Sequence, residues 1–217
     1  MVFAPASVQE MVDFVIKAFD RADKYRVPAM ILADGLLGQM MEPVSFPEVN
    51  PEAVDKSSWA ATGHKGEREH HIINSLYLQP DALQKSVVDR FERYEQIKAN
   101  ETDAELYLTE DCDILLCAFG ATARVVKSAV NDARAMGIKA GLFRPRTLWP
   151  FPEKELNEAA KNAKKLLSVE MSMGQMIDDI KLAINCSKPV EFFGRTGGVI
   201  PTPAEVLAEI KKVGGAE

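Results

Sequence analysis

Apolar and polar positions divide the chain into three stretches with different rhythms. In the first, up to Val44, Val8, Met11, Val12, Val15, Ala18, Phe19 and Ala22 recur at helical spacing and predict an amphipathic helix. Ser7 followed by Glu10 has the spacing of a capping box at its start. Tyr25 to Pro28 end the helix, and Ala29-Met30-Ile31-Leu32-Ala33 predicts a strand buried on both faces. Asp34-Gly35 marks a turn at the carboxyl end of that strand. A single helix and a single strand cannot enclose a core, so residues 1–44 read as part of a larger α/β domain.

The second stretch, residues 45–111, loses the rhythm. Pro43, Pro47 and Pro51 interrupt it, and Trp59 to His71 is polar with glycines at 63 and 66. Beyond Pro80 the helical period returns, with Leu83, Val87, Phe91, Tyr94 and Ile97 forming a stripe on a charged cylinder. Irregular loops of this length are commonly functional, partner-bound or disordered. The stretch therefore reads as a connector with one helix, wrapped over a surface such as a subunit interface.

The third stretch, residues 112–217, alternates regularly. Strands are expected at 113–119, 138–143, 166–169 and 190–193, and helices at 121–136, 153–163 and 175–184. Gly137 stands where a helix C-terminus favours glycine. Thr202, Pro203 and Glu205 supply the N-cap, the first-turn proline and the capping-box acid of a last helix. Strands that alternate with helices predict a small doubly wound parallel sheet with right-handed crossovers.

Composition removes several classes of function. With 47% hydrophobic and 27% charged residues, the 217-residue chain is an ordinary globular protein rather than a disordered one. Its apolar runs are far too short to span a bilayer, and no signal peptide is visible. The 32 acidic residues outweigh 26 basic ones for a net charge of −6, with no Lys/Arg cluster of the kind nucleic acid requires. Three cysteines (Cys112, Cys117, Cys186) without a CxxC argue against a disulfide framework and point to a reducing cytoplasm. They cannot hold an iron–sulfur cluster either, so any electrons would travel on another chain.

Candidate chemistry gathers at the predicted strand ends, where ligands of open α/β sheets bind. Those ends carry Gly120, Arg144-Pro145-Arg146, Glu170 and Gly194-Arg195. Three arginines and a glutamate on one rim would suit an anion or a charged partner surface, but solvated loops with interdomain salt bridges are the preferred reading. Gly120-Ala121-Thr122-Ala123-Arg124 opens a helix where phosphate could bind. It lacks a P-loop lysine and the second glycine of a dinucleotide fingerprint, and small residues there also allow tight helix–sheet packing. His64, His70 and His71 lack the i,i+4 spacing of helical metal ligands and read as a polar loop, so no metal site is expected.

Several segments resemble the α subunit of the 2-oxoacid:ferredoxin oxidoreductases that act on 2-oxoisovalerate or 2-oxoglutarate. They are Ala4–Met11, Leu32–Val44, Phe119–Arg124, Leu142–Pro152, Val169–Met176 and Gly194–Gly198, in the family's order over nearly the whole chain. The resemblance implies an α/β fold in which residues 1–44 are the C-terminal end of a thiamine pyrimidine-binding domain. Residues 112–217 would be a domain similar to the C-terminal one of transketolase. It implies a multi-subunit enzyme that converts a 2-oxoacid, with coenzyme A, to acyl-CoA and CO2 and reduces ferredoxin. Thiamine diphosphate and Mg would be held mainly by other parts, and [4Fe–4S] clusters by smaller subunits, with β, γ and δ types as partners and none of these groups on the isolated chain. A full α subunit would begin earlier, with the acidic residue that meets the pyrimidine. The chain is thus expected to be a piece or a split subunit, inactive alone, and no catalytic residue is named. By position, Asp34, Gly35, Gly38, Gln39 and Met40 are the expected approach to the cofactor; a plain turn at the subunit interface fits them as well. The substrate leans to 2-oxoisovalerate by overall resemblance, with 2-oxoglutarate or pyruvate open. A flavodoxin-like ligand-binding module and a structural assembly module are the alternatives from other classes.

Overall fold

The computed structural model describes residues 1–46, 48 and 54–215. Pro47 and Pro51, two of the expected chain-breakers, lie outside the described residues. Among the described residues no helix is long and apolar enough to cross a membrane.

The first stretch contributes strand β1 (Val2–Phe3), helix α1 (Val8–Tyr25) and strand β2 (Met30–Ile31). Ser7 Oγ accepts from the Glu10 amide, as expected of an N-cap, but the Glu10 carboxylate accepts from Ala6 N–H rather than closing the box on Ser7. β1 pairs in parallel with β2 and antiparallel with β6 (Thr147–Trp149), giving a three-stranded sheet of order β2-β1-β6. The expected five-residue strand at 29–33, buried on both faces, is therefore corrected. β2 has two residues at a sheet edge, and Met30 and the following Leu32 are 56% and 43% exposed.

Helix α2 (Pro80–Asn100) forms where the period returns, yet of its stripe only Ile97 is buried, with Tyr94 edge-on to Trp149. Leu83 and Phe91 remain 47% and 55% exposed. Ile97 joins Met1, Phe3, Phe14, Ala18 and Tyr25 in a small core beneath α1.

The remaining strands are β3 (Ala104–Tyr107), β4 (Ile114–Cys117), β5 (Ala140–Pro145), β7 (Lys165–Glu170) and β8 (Val190–Gly194). They form a sheet of order β3-β5-β4-β7-β8, parallel except for the antiparallel edge β3. β3 and the short β6 are additions to the expected pattern. Each is too short to show a period, and β3 lies inside the presumed connector. Helices α3 (Gly120–Ala135) and α6 (Pro203–Gly214) pack on one face through Val126, Val130, Val206 and Ile210. Helices α4 (Glu153–Ala160) and α5 (Met176–Ala183) pack on the other through Leu156, Ala159, Met176 and Ile180. This is the doubly wound domain. Because β5 and β7 flank β4 on opposite sides, the winding direction reverses at the carboxyl end of β4, where such folds open a crevice.

Candidate functional site

The loop after β2 and the carboxyl ends of β7 and β8 enclose a cleft of about 440 Å³. Asp34, Gly35 and Gln39 line one wall; Met171, Thr196 and Gly198 line the other. A 3₁₀ turn, Leu37–Gln39, shapes the first wall and is anchored by Leu37, which is fully buried.

Asp34 holds this loop in place. Its Oδ1 accepts from the Leu37 amide at 2.8 Å, and its Oδ2 accepts from the Ala121 amide at 2.9 Å, at the first turn of α3. Phe119, the N-cap residue of α3, offers no side-chain acceptor, so the aspartate caps the helix from outside. The negative charge also suits the helix's positive end. Gly120 sits at φ +60°, and a Cβ there would stand 2.9 Å from Asp34 Oδ2, so this close approach requires glycine. The position where a phosphate could have bound, at the fold's switch point, is filled by a carboxylate of the chain itself.

Of the five residues expected to approach a cofactor, Asp34, Gly35 and Gln39 line the cleft. Gly38 and Gly35 are open, since an added Cβ would meet nothing within 4 Å at either. Met40 turns toward α3, with its sulfur 3.8 Å from the Arg124 guanidinium.

The arginines of the rim pair with carboxylates of the chain itself. Arg144, 5% exposed, grips Glu10 with two bonds of 2.8 and 2.9 Å and donates a third, 2.7 Å long, to Glu105. Arg146 reaches the same Glu10 at 3.0 Å. Burial works to raise the Glu10 carboxyl, but the Arg144 bonds, the Ala6 amide and both guanidinium charges hold it below its usual value. These contacts tie α1 to β5. Arg124 pairs with Glu42, which also accepts from Val8 N–H in the first turn of α1.

Glu170, 3% exposed at the end of β7, is a cap of the same kind as Asp34. Its oxygens accept from the amides of Gln175, Met176 and Ile177 and from the hydroxyls of Ser168 and Ser172. Burial raises its carboxyl, and these donors more than reverse the effect, leaving it below the ordinary value. Arg195 lies over the Phe193 ring and pairs with Glu205. The Arg195 bond and the Thr202 amide and hydroxyl bring Glu205 down to about 2. Arg144 and Arg146 form salt bridges that join α1 and the segment around Asp103–Glu105 to the end of β5, while Glu170 and Arg195 serve helix starts.

The His64 and His70 rings meet tilted at 43° with centroids 3.9 Å apart, and His71 meets the Ala60 carbonyl. Among the described residues no three His, Cys, Asp or Glu side chains gather as a metal site. The carboxylate caps Asp34, Glu42 and Glu170 are what sequence reasoning missed. Their one trace is that Phe119 and Gln175 are helix starts without a local capping side chain.

Residues 1–106 match the family described as pyruvate flavodoxin/ferredoxin oxidoreductase, thiamine diphosphate-binding. Residues 112–206 match pyruvate:ferredoxin oxidoreductase core domain II. The chain is 45% identical over 215 residues to ketoisovalerate oxidoreductase subunit VorB of Methanothermobacter marburgensis, covering 99% of this chain and 60% of that one. It is 31% identical over 232 residues to 2-oxoglutarate synthase subunit KorA of the same organism, covering 95% and 62%. Its fold matches 2-oxoglutarate:ferredoxin oxidoreductase from Magnetococcus marinus, solved with 2-oxoglutarate, coenzyme A and succinyl-CoA bound. That match has a TM-score of 0.71 at 18% identity and covers 97% of this chain and 41% of the other. The chain thus spans about 60% of the length of the curated relatives it matches. With both halves matched and 45% identity along nearly its whole length, the chain belongs to the 2-oxoacid:ferredoxin oxidoreductase family, as an α-type subunit.

Proposed function

We propose that this chain serves a thiamine diphosphate-dependent oxidoreductase that converts 2-oxoisovalerate and coenzyme A to acyl-CoA and CO2 and reduces ferredoxin, as one of several subunits. The observation that carries the reading is the 45% identity to the ketoisovalerate subunit over 99% of this chain, against 31% to a 2-oxoglutarate subunit. In this reading residues 1–44 belong to the pyrimidine-binding domain, 45–111 connect, and 112–217 form the transketolase-like domain. The loop Asp34–Met40 is the part that approaches the cofactor.

The residues of the cleft fit a role beside thiamine diphosphate rather than around its charged end. Gly35 and Leu36 offer a small, apolar wall suited to a heterocycle, with Met171 facing them across the cleft. Asp34, the carboxylate of that wall, is committed through both oxygens to amides, and the switch-point helix start is already capped. The diphosphate, its Mg and the acid that meets the pyrimidine therefore fall to other parts of the enzyme. When bound, the cofactor supplies the electron sink for decarboxylation. This chain's residues shape and dry one side of it, and Asp34 keeps that wall docked on α3.

The test is a rate comparison on the purified multi-subunit enzyme, reading coenzyme A-dependent viologen reduction with 2-oxoisovalerate, 2-oxoglutarate and pyruvate. The expected order places 2-oxoisovalerate first in kcat/KM. A preference for either other acid overturns the substrate assignment, and reduction of viologen by none of them overturns the proposed activity.

A further inference from the structure

A second cleft, of about 620 Å³, lies between α2 and the segment around Asn74–Tyr77. Its size is that of a small-molecule site, and its charge is opposite to that of the chain. Arg26, Lys85, Arg90 and Arg93 line it against a single acid, Asp89, in a protein whose net charge is −6. Lys85 donates to both Asp89 oxygens at 3.1 and 2.8 Å, so that pair neutralises itself. Among the described residues no carboxylate pairs with Arg26, Arg90 or Arg93. Three guanidiniums therefore face one concavity without a carboxylate partner among the described residues.

Two details show how they are held. Ser86, Arg90 and Arg93 follow the i, i+4, i+7 spacing that puts them on one face of α2. Arg26 closes α1 in a left-handed conformation (φ 48°), and its guanidinium lies over the Trp59 ring, 4.8 Å from the centroid. A guanidinium held over a ring face by this attraction can still donate from its edges. The Nε of Arg93 is buried and has no hydrogen-bond partner, a donor lacking an acceptor. Tyr77, Leu83 and Val87 add an aromatic and apolar side to the same cavity.

From these features we infer that the cleft binds a phosphate-bearing small molecule of nucleotide size. The phosphate accepts from Arg90, Arg93 and Arg26, and the body of the ligand rests on Tyr77 and Leu83. Arginine forks match phosphate oxygens bidentately, and three of them facing one cavity favour an anion of more than one charge. The inference stands on residues outside the Asp34–Met40 cleft and does not depend on the proposed reaction.

The test is titration calorimetry on the folded chain at low salt, with ADP, inorganic pyrophosphate, adenosine and a hexaglutamate peptide as probes. ADP and pyrophosphate are expected to bind saturably at one site, and adenosine at least tenfold more weakly. Arg90→Gln and Arg93→Gln are each expected to weaken pyrophosphate about tenfold, the loss of one charge-assisted contact. Arg68→Gln, outside the cleft, should change nothing. Circular dichroism checks each variant, and should Arg93→Gln not fold, the exposed Arg90→Gln carries the comparison. The inference is overturned if neither ADP nor pyrophosphate binds, or if the Arg90→Gln and wild-type chains bind alike. It is also overturned if adenosine equals ADP, or if only the acidic peptide binds, which would assign the cleft to a protein partner.

Discussion

Glu170→Gln is the most demanding test of the capping argument, because the substitution keeps shape and removes only charge and one acceptor. In the native protein Oε2 accepts from Ser172 and from the Gln175 and Met176 amides, and Oε1 from Ser168 and the Ile177 amide. A glutamine must turn its NH2 toward one of these sets. Facing the Oε1 side is the cheaper choice, since the Ser168 hydroxyl can rotate and accept, leaving the Ile177 amide without a partner. One buried amide left unsatisfied costs about 1–3 kcal/mol. Loss of the anion at the start of α5 adds roughly 0.3–1 kcal/mol. The sum is about 3 kcal/mol, which for a chain of this size lowers Tm by roughly 6–12 °C. Thermal and urea unfolding measure it. Because the folded-state carboxyl lies below the unfolded value of 4.5, this contribution is complete above pH 4.5 and fades as the pH falls through the folded value. The gap between wild type and variant should therefore narrow in acid. A Glu170→Gln protein as stable as wild type at pH 7, or a gap that widens in acid, would refute the reasoning.

Other consequences are equally direct. Glu10→Ala strips the nearly buried Arg144 of its bidentate partner and leaves it Glu105, so the expected cost is about 2–3 kcal/mol by urea unfolding; a double-mutant cycle with Arg144→Met that gave no coupling would contradict the contact. Gly120→Ala combines a left-handed φ with a Cβ 2.9 Å from Asp34 Oδ2 and should cost about 2 kcal/mol. In the Asp34→Ala background the penalty should shrink, since the colliding oxygen is gone. Burial raises the Cys112 and Cys117 thiols, whereas Cys186 is exposed. Iodoacetamide on the folded chain should therefore modify Cys186 and spare the other two, as peptide mass spectrometry would read. Rapid alkylation of Cys117 without unfolding would count against its place in the core.

The alternation of residues 112–217 was legible from residue order alone. The apolar run Ile114–Cys117 is buried on both faces, as is Leu166–Val169 with Ser168 its one polar member, and such a run is legible whatever surrounds it. The last helix was equally readable, because the Thr202 and Glu205 capping box closes within four residues. The family resemblance, carried on local segments, likewise required no tertiary knowledge. What the polar residues at the strand ends do depends on the folded arrangement. Arg144, Glu170 and Asp34 look alike as candidates for binding a ligand. Their partners lie far along the chain (Glu10 for Arg144, Ala121 for Asp34) or depend on how a loop folds back, as at Glu170. A charged side chain's role is set by whichever opposite charge or free amide comes within about 3 Å, and spacing along the chain does not encode that distance. The same holds for β1, β2 and β6. They are two- and three-residue strands that exist because Val2 and Phe3 meet Met30 and Ile31 on one side and the Thr147–Trp149 segment on the other.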